Sequence, residues 1–562
     1  MREKRRLRVV NYAVNGRGVG HLTRLTAINR WLRRYAAYCG VRAEIYFLTS
    51  SEADGLLFQE GFASFKLPSK TVVKETAIHK QTYLALAKQW VWHSLGLLRP
   101  DLLIVDTFPR GSFGELLSAL DLAKHKAFIY RPLKASYAAR PDFQAMLPLY
   151  DSILVPDYEE HAPGLAPPRV RQRIEHTGPV VCRERVELLA RDEARGQLGV
   201  GEQLCVYVSA GGGGDPTSED SLTRVLDALA GQEGLHLVIG AGPLYRGRRQ
   251  HGPGVTWLGH QRAIELMPGF DLAISAGGYN SFFELMHVGV PALFLPQDKV
   301  ADEQDVRAER AVAAGAARVL PAPSGDEAAD GAAIRAAVDE LRDPELRAAM
   351  SAAARELVPS NHAREAAAEL LRLALPPAAV EAAEEAIDDA LLAEARRSGL
   401  ELSIFFEVME VLDPRPREEL DADAACEASQ HAVELLRHMD RLGVPLAAAR
   451  RVIDPLARKL VSAGPAARAE LARSALDAFA PFGDWAGAAM VVRTLRNERE
   501  LEGEGLARAL GRFLAVLRDE GQTLYQGLER LGAVQGVEED LPTNRELLAR
   551  ASAPAVTSEG GA

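Results

Sequence analysis

Cysteine is scarce: four residues in 562, Cys39, Cys182, Cys205 and Cys426. No CxxC pair or Cys/His spacing connects them, which argues against a zinc site and against a disulfide framework. Cys205 sits in an apolar run and reads as a small buried residue. Long hydrophobic runs are also missing. Leu102–Val105 and Val288–Leu295 are strand-sized, well short of the roughly 20 residues that cross a bilayer. Met1–Arg8 is basic without the apolar core of a secretory signal, so a cytoplasmic location is expected. Positive charge is in deficit, and a net charge of −11 argues against nucleic acid as a partner.

What the chain does have is the balance of a folded protein, 47% hydrophobic and 25% charged residues, over a length that calls for several domains. One local charge bias stands out. Arg2, Arg5, Arg6, Arg8, Arg17, Arg24, Arg30, Arg33, Arg34 and Arg42 crowd the first fifty residues. They read either as a basic face for phosphates or an anionic membrane surface, or as a solvated helix face behind a basic tail.

Short apolar strands alternate with amphipathic stretches from Arg8 to about Leu320, the pattern of an α/β fold with parallel sheets. Strands are expected at Leu7–Val14, Glu44–Leu48, Leu102–Val105, Ala127–Tyr130 and Ser152–Pro156. His161–Pro179 has the Pro, Gly and charge content of a linker. The alternation then restarts with strands at Leu204–Ser209, Leu235–Gly240, Val255–Leu258, Leu272–Ser275 and Ala292–Pro296. Expected helices include Leu22–Tyr38, Ser218–Leu229, Ser281–His287 and Asp302–Ala314. Two Rossmann-like halves in tandem leave a cleft, and ligands of such sheets bind beyond the carboxyl ends of the strands. The boundaries expected are 1–178 for an acceptor domain and 179–375 for a donor domain. An all-α region of Ala/Leu/Glu/Arg-rich helices follows at 376–550, then a disordered tail at 551–562.

Three segments carry chemistry. Asn15-Gly16-Arg17-Gly18-Val19-Gly20-His21-Leu22-Thr23-Arg24 follows the first strand, where Gly18 and Gly20 free backbone amides for an anion. His21 closes that turn, apt for acid–base work, or else a structural cap. Gly211, Gly212, Gly213 and Gly214 form a run that a purely structural loop would rarely keep, and it lacks the Gly-Lys-Ser/Thr ending of an ATP loop. Ser275-Ala276-Gly277-Gly278-Tyr279-Asn280-Ser281-Phe282-Phe283-Glu284 combines a Gly-Gly turn with a helix start suited to phosphate. Glu284, a turn further on, can accept both hydroxyls of a ribose, or can simply be a solvated helix residue.

Ser275–Gln304 closely resembles the nucleotide-sugar signature of the MurG and glycosyltransferase family 28 proteins, and the likeness extends over about residues 7–372. The S-x-x-G…E helix, the strand Gly289-Val290-Pro291-Ala292-Leu293-Phe294-Leu295-Pro296 and the pair Glu303-Gln304 carry it. Gly18-Val19-Gly20-His21 and Asp101–Pro109 add to it. The resemblance implies a GT-B fold and a UDP-sugar co-substrate with no separate cofactor. It implies that Glu284 holds the ribose, while Gly277, Gly278, Asn280, Ser281 and Gly211–Gly214 hold the diphosphate. His260 with Leu258 would line the base pocket, and Glu303 and Gln304 would touch the sugar. The family carries paired glutamines where this chain has Glu303-Gln304, and many relatives differ at Thr23-Arg24.

Asp106 ends a predicted strand, where α/β sites collect polar groups. Related plant-type glycosyltransferases pair such an aspartate with a histidine after the first strand, so Asp106 would orient His21. A turn-capping role is the plainer alternative. The expected reaction is inverting transfer of a hexosamine-like sugar to an acceptor hydroxyl. It would need no metal, since the catalytic region has no Asp-x-Asp motif. Arg24 is placed with the glycine turn at an acceptor or phosphate loop. The acceptor would be lipid-linked or phosphorylated, and the helical region would serve a protein partner or a dimer. A UDP-sugar hydrolase, an epimerase and a non-catalytic nucleotide-sugar sensor are the rival readings.

Overall fold

The computed structural model describes residues 6–14, 18–39, 41–161, 170, 173–209, 211, 216–242, 244–245, 247–258, 263–299, 302–389 and 392–393. Two sheets organise them, all strands parallel. The first comprises β1 (Arg6–Ala13), β2 (Arg42–Thr49), β3 (Ala63–Lys66), β4 (Leu102–Asp106), β5 (His125–Ile129), β6 (Ser152–Val155) and β7 (Ile174–His176), in the order β3-β2-β1-β4-β5-β6-β7. The second comprises β8 (Leu204–Ser209), β9 (Leu235–Ile239), β10 (Val255–Trp257), β11 (Leu272–Ser275), β12 (Ala292–Phe294) and β13 (Ala317–Val319), in the order β10-β9-β8-β11-β12-β13. The expected pair of Rossmann-like halves is therefore present.

The sequence dictates this locally. Leu102-Leu103-Ile104-Val105-Asp106 is buried along its whole length, as a central parallel strand covered on both faces must be. Val10, Tyr12, Leu103, Val105 and Phe128 share one core in the first lobe. Cys205 lies fully buried with Tyr207, Ala273 and Phe294 in the second. The strands not anticipated, β3, β7 and β13, are all three or four residues long and sit at or beside sheet edges. Such short runs carry too little alternation to be read alone. β7 falls inside the stretch expected to be linker, and it pairs through Ile153↔Ile174 and Val155↔His176.

Four helices position the site: α1 (Gly20–Tyr38), α2 (Tyr279–Val288), α3 (Gln304–Ala313) and α4 (Ala363–Arg372). α1 is buried on most of its surface because α4, from the far end of the second lobe, packs along it. The clasp is specific. Trp31 Nε1 and Asn361 Nδ2 both donate to Glu184, at 3.0 and 2.8 Å. The Arg34 and Arg364 guanidiniums lie 4.6 and 4.4 Å from the Trp31 ring.

Here the expectation of a basic N-terminal face needs correcting. Arg24, Arg30 and Arg34 are buried, not presented to phosphate or membrane. Arg30 and Arg34 each meet Glu187 at 2.6 Å, Arg30 also donates to the Cys182 carbonyl at 2.7 Å, and Arg24 pairs with Asp106. Arginine's planar fork suits such interior pairing. Among the described residues, no helix is long and apolar enough to cross a membrane.

The chain divides into two units, Met1–Asp389 and Ala390–Ala562. The helix Pro377–Ala386 belongs to the first. From residue 394 onward, the expected all-α region and tail lie outside the described residues, as does Cys426.

Candidate functional site

Each sheet reverses its order once, between β1 and β4 and between β8 and β11. Those reversal points are where open α/β sheets leave a crevice for ligand. His21 follows β1 and Asp106 ends β4, so the first crevice collects both predicted catalytic residues. Gly211 follows β8 and Gly277 follows β11, so the second crevice collects the glycine turns.

In the first lobe, His21 Nδ1 lies 2.5 Å from Asp106 Oδ2, an ion-pair distance without the alignment of an ideal hydrogen bond. Phe108 stacks on the imidazole, with centroids 5.4 Å apart and planes 21° from parallel. Burial pushes the His21 pKa below its usual value. Asp106 pulls it back up only in part, and the charges of Arg24 and Arg131 push it down. The ring is therefore neutral near pH 7. Burial alone would raise the Asp106 pKa, but Arg24 and then His21 outweigh it and hold the carboxyl at about 2. Arg24 is buried under this pair, with Nε and Nη2 on Oδ1 at 3.0 and 2.9 Å and Nη2 on Oδ2 at 2.7 Å. Placed with an acceptor or phosphate loop on sequence, Arg24 is spent on Asp106. Gly18 and Gly20 flank the start of α1, and Gly20 is its first residue.

In the second lobe, Ser209 and Ser275 are register partners at the ends of β8 and β11. Each hydroxyl accepts from the amide two residues on, Gly211 N at 3.4 Å and Gly277 N at 3.3 Å. The two glycine turns thus leave the sheet side by side. Gly277 has φ +72°, and a Cβ there would meet Phe294 at 3.2 Å, so glycine is required. Gly278 caps α2, which puts Tyr279, Asn280 and Ser281 in its first turn, two residues earlier than the pattern predicts. Gly212, Gly213, Gly214 and His260 lie outside the described residues.

Glu284 is half-buried and accepts no hydrogen bond or ion pair among the described residues, which leaves its oxygens available. Burial raises its pKa to about 7, against the pull of Arg183. Glu303 takes the N-cap position of α3 without a capping bond. Gln304 is buried. Its Oε1 accepts from Gln297 N at 2.9 Å and its Nε2 lies 3.4 Å from Asp302, so it braces the loop after β12.

The two crevices face each other across direct contacts. Asn280 Nδ2 donates to the Gly20 carbonyl at 3.1 Å. Asp302 is shared by Arg131 of the first lobe and Arg307 of the second, the latter at 2.7 Å. Tyr279 donates to the Pro156 carbonyl and accepts from Val180 N at 3.2 Å. Sequence reasoning overlooked Arg131 and gave Tyr279, inside the Gly-Gly motif, no role of its own. Arg131 had a signal, since it stands just past the tip of β5 as Asp106 stands at the tip of β4.

Residues 259–370 match the family model described as the Glycosyltransferase family 28 C-terminal domain. That segment includes α2, Glu284 and Gln304, and excludes His21 and Asp106. No curated protein matches the chain. Among solved structures, the glycotransferase of kitacinnamycin is similar at 17% identity and TM-score 0.44, over 66% of this chain and 100% of that one. Acinetobacter baumannii MurG is similar at 16% and 0.42, over 65% and 99%. The spinosyn forosaminyltransferase SpnP is similar at 15% and 0.45, over 66% and 99%. It is through residues 259–370 that the chain is similar to the glycosyltransferase family 28 C-terminal domain.

Proposed function

We propose that this protein transfers a hexosamine-like sugar from a UDP-sugar to an acceptor hydroxyl, with inversion and without a metal. The observation that carries the reading is the opposition of His21–Asp106 to the Gly277–Ser281 turn, with Asn280 bonded across to Gly20 at 3.1 Å. Acid–base and anion-holding groups thereby share one cleft.

The diphosphate would sit on the amides of Gly277 and Gly278 and the Gly211–Gly214 loop, at the N-terminus of α2, where the helix dipole favours negative charge. Glu284 would accept the two ribose hydroxyls, His260 would border the base, and Glu303 would reach the sugar. Neutral His21 removes the proton from the acceptor hydroxyl through Nε2, while Asp106 fixes the ring and supports the imidazolium that forms. The acceptor oxygen bonds to the anomeric carbon as the bond to the diphosphate breaks on the opposite face. The leaving diphosphate takes that electron pair and is stabilised by the preorganised amides.

The acceptor class is proposed as lipid-linked or phosphorylated on the arginine-rich sequence of the first fifty residues, although Arg24, Arg30 and Arg34 of that set are buried. A panel of nucleotide sugars, screened by thermal shift and then by nucleotide release, tests the reading. UDP release that depends on an added acceptor supports transfer. Release without one makes the protein a hydrolase, and binding without turnover makes it a sensor.

A further inference from the structure

The His21–Asp106 pair is held by a third residue and by a strained turn, neither of which the proposed chemistry uses directly. Thr107 has φ +62°, a left-handed backbone that a β-branched residue rarely adopts. Phe108 N bonds to the Asp106 carbonyl at 2.7 Å, closing a three-residue turn of the rare, strained kind around Thr107. That turn sends Asp106 to one side of His21 and the Phe108 ring to its face. Arg24 ties the turn together. Its Nη2 donates to both Asp106 oxygens and to Thr107 Oγ1 at 3.2 Å, and Thr107 Oγ1 in turn donates to Asp106 Oδ2 at 3.1 Å. Arg24 is itself 1% exposed, with its guanidinium 4.9 Å from the centroid of Tyr279, the first residue of the donor-lobe helix α2.

We propose that Arg24 is a positioning residue for His21: its fork fixes the plane of the Asp106 carboxylate, and its stacking on Tyr279 makes that plane depend on the closed arrangement of the two lobes. The inference rests on the reading of His21 as the base. A single-point cation would neutralise Asp106 without orienting it, whereas the two parallel bonds of a guanidinium do both. Its charge matters separately. Among the described residues the groups bearing on His21 are Asp106 from β4, Arg24 from α1 and Arg131 after β5, with Tyr279 and Asp302 of the second lobe acting on Arg24. Removing Arg24 leaves Asp106 as an uncompensated anion against the imidazole, so His21 should bind its proton more tightly.

The test uses the full chain with Arg24→Gln and Arg24→Lys, with the His21 imidazole titrated by ¹⁵N NMR and assigned by its loss in His21→Ala. In Arg24→Gln the midpoint should rise by about 1 pH unit, and kcat should fall about 10- to 100-fold with donor KM unchanged. In Arg24→Lys the charge stays but the fork is gone, so the midpoint should stay near that of the wild type while kcat still falls. A wild-type midpoint together with a wild-type rate in Arg24→Gln overturns the proposal. Should Arg24→Gln fail to fold, Arg24→Lys decides alone: full activity in it overturns the positioning role, and lost kcat with intact donor affinity supports it. The titration needs no turnover, so a chain that transfers no sugar would sink the transferase reading while the NMR still decides the role of Arg24.

Discussion

Asn280 donates from the first turn of α2 to the carbonyl of Gly20, the first residue of α1, at 3.1 Å. One hydrogen bond thus joins α2 of the second lobe to the helix that carries His21. Asn280→Asp replaces the donor amide with a carboxylate facing that carbonyl and the expected diphosphate. The helix should survive, because an acid suits its first turn. Donor affinity measured by calorimetry should fall ~10-fold or more from the lost bond and the new repulsion. Unchanged affinity would move the diphosphate away from α2.

His21→Ala should lower kcat by ~10²-fold or more with donor binding intact. Burial lowers the His21 pKa beneath 6.5, so the base is already neutral at pH 7. The rate should therefore rise with pH along a limb lying below 6.5 and then level off, and that limb should vanish in His21→Ala. A limb above 7 in the wild-type kcat profile would contradict the assignment.

Glu284 supplies a different pH dependence. Its pKa in the free protein is raised to about 7, and its ionised form would be the stronger acceptor of ribose hydroxyls. Donor affinity should fall by up to ~10-fold per pH unit below 7 and be nearly flat in Glu284→Gln. The sign for stability is the reverse. A carboxyl whose folded pKa lies above its unfolded value makes the fold less stable as pH rises from about 4.5 through 7. Glu284→Gln should consequently melt higher than wild type at pH 8, with no such gain at pH 4. Parallel donor-binding curves for the two proteins across this range would refute the ribose role.

Gly277→Ala asks an alanine to hold φ +72° with its Cβ 3.2 Å from Phe294. The left-handed backbone alone should cost ~1–2 kcal/mol in urea unfolding, and the displaced turn should weaken donor binding as well. A variant as stable and as tight-binding as the parent would show that this turn has no fixed shape.

Glu187 tests the clasp behind α1. Burial would raise its pKa, but Arg30, Arg34 and Arg183 outweigh burial and hold it well below the ordinary glutamate range. Its contribution is present above the unfolded pKa near 4.5 and lost as pH falls. Glu187→Gln leaves Arg30 and Arg34 short of their shared anion and should cost ~3–5 kcal/mol at pH 7. Chemical denaturation at pH 7 and pH 3 should show that gap narrowing in acid. A gap that is constant with pH would mean the carboxylate charge is not what holds the clasp.

By itself the sequence determined what depends on near neighbours. Leu204–Ser209 and Leu272–Ser275 read as buried strands from their apolar runs, and the structure has them at those residues. The glycine turns, the start of α1 near His21 and the placement of Asp106 at a strand tip followed from spacing alone, because backbone freedom and strand ends are local properties. Only the tertiary structure decided which charges meet. Arg24 and Asp106 are 82 residues apart, Arg30 and Glu187 are 157, and Gly20 and Asn280 are 260. An arginine at a helix start reads the same whether it faces a phosphate or a buried carboxylate. What distinguishes the two is desolvation by elements remote in the chain: the tip of β4, the clasp of α4, and Tyr279 of the opposite lobe.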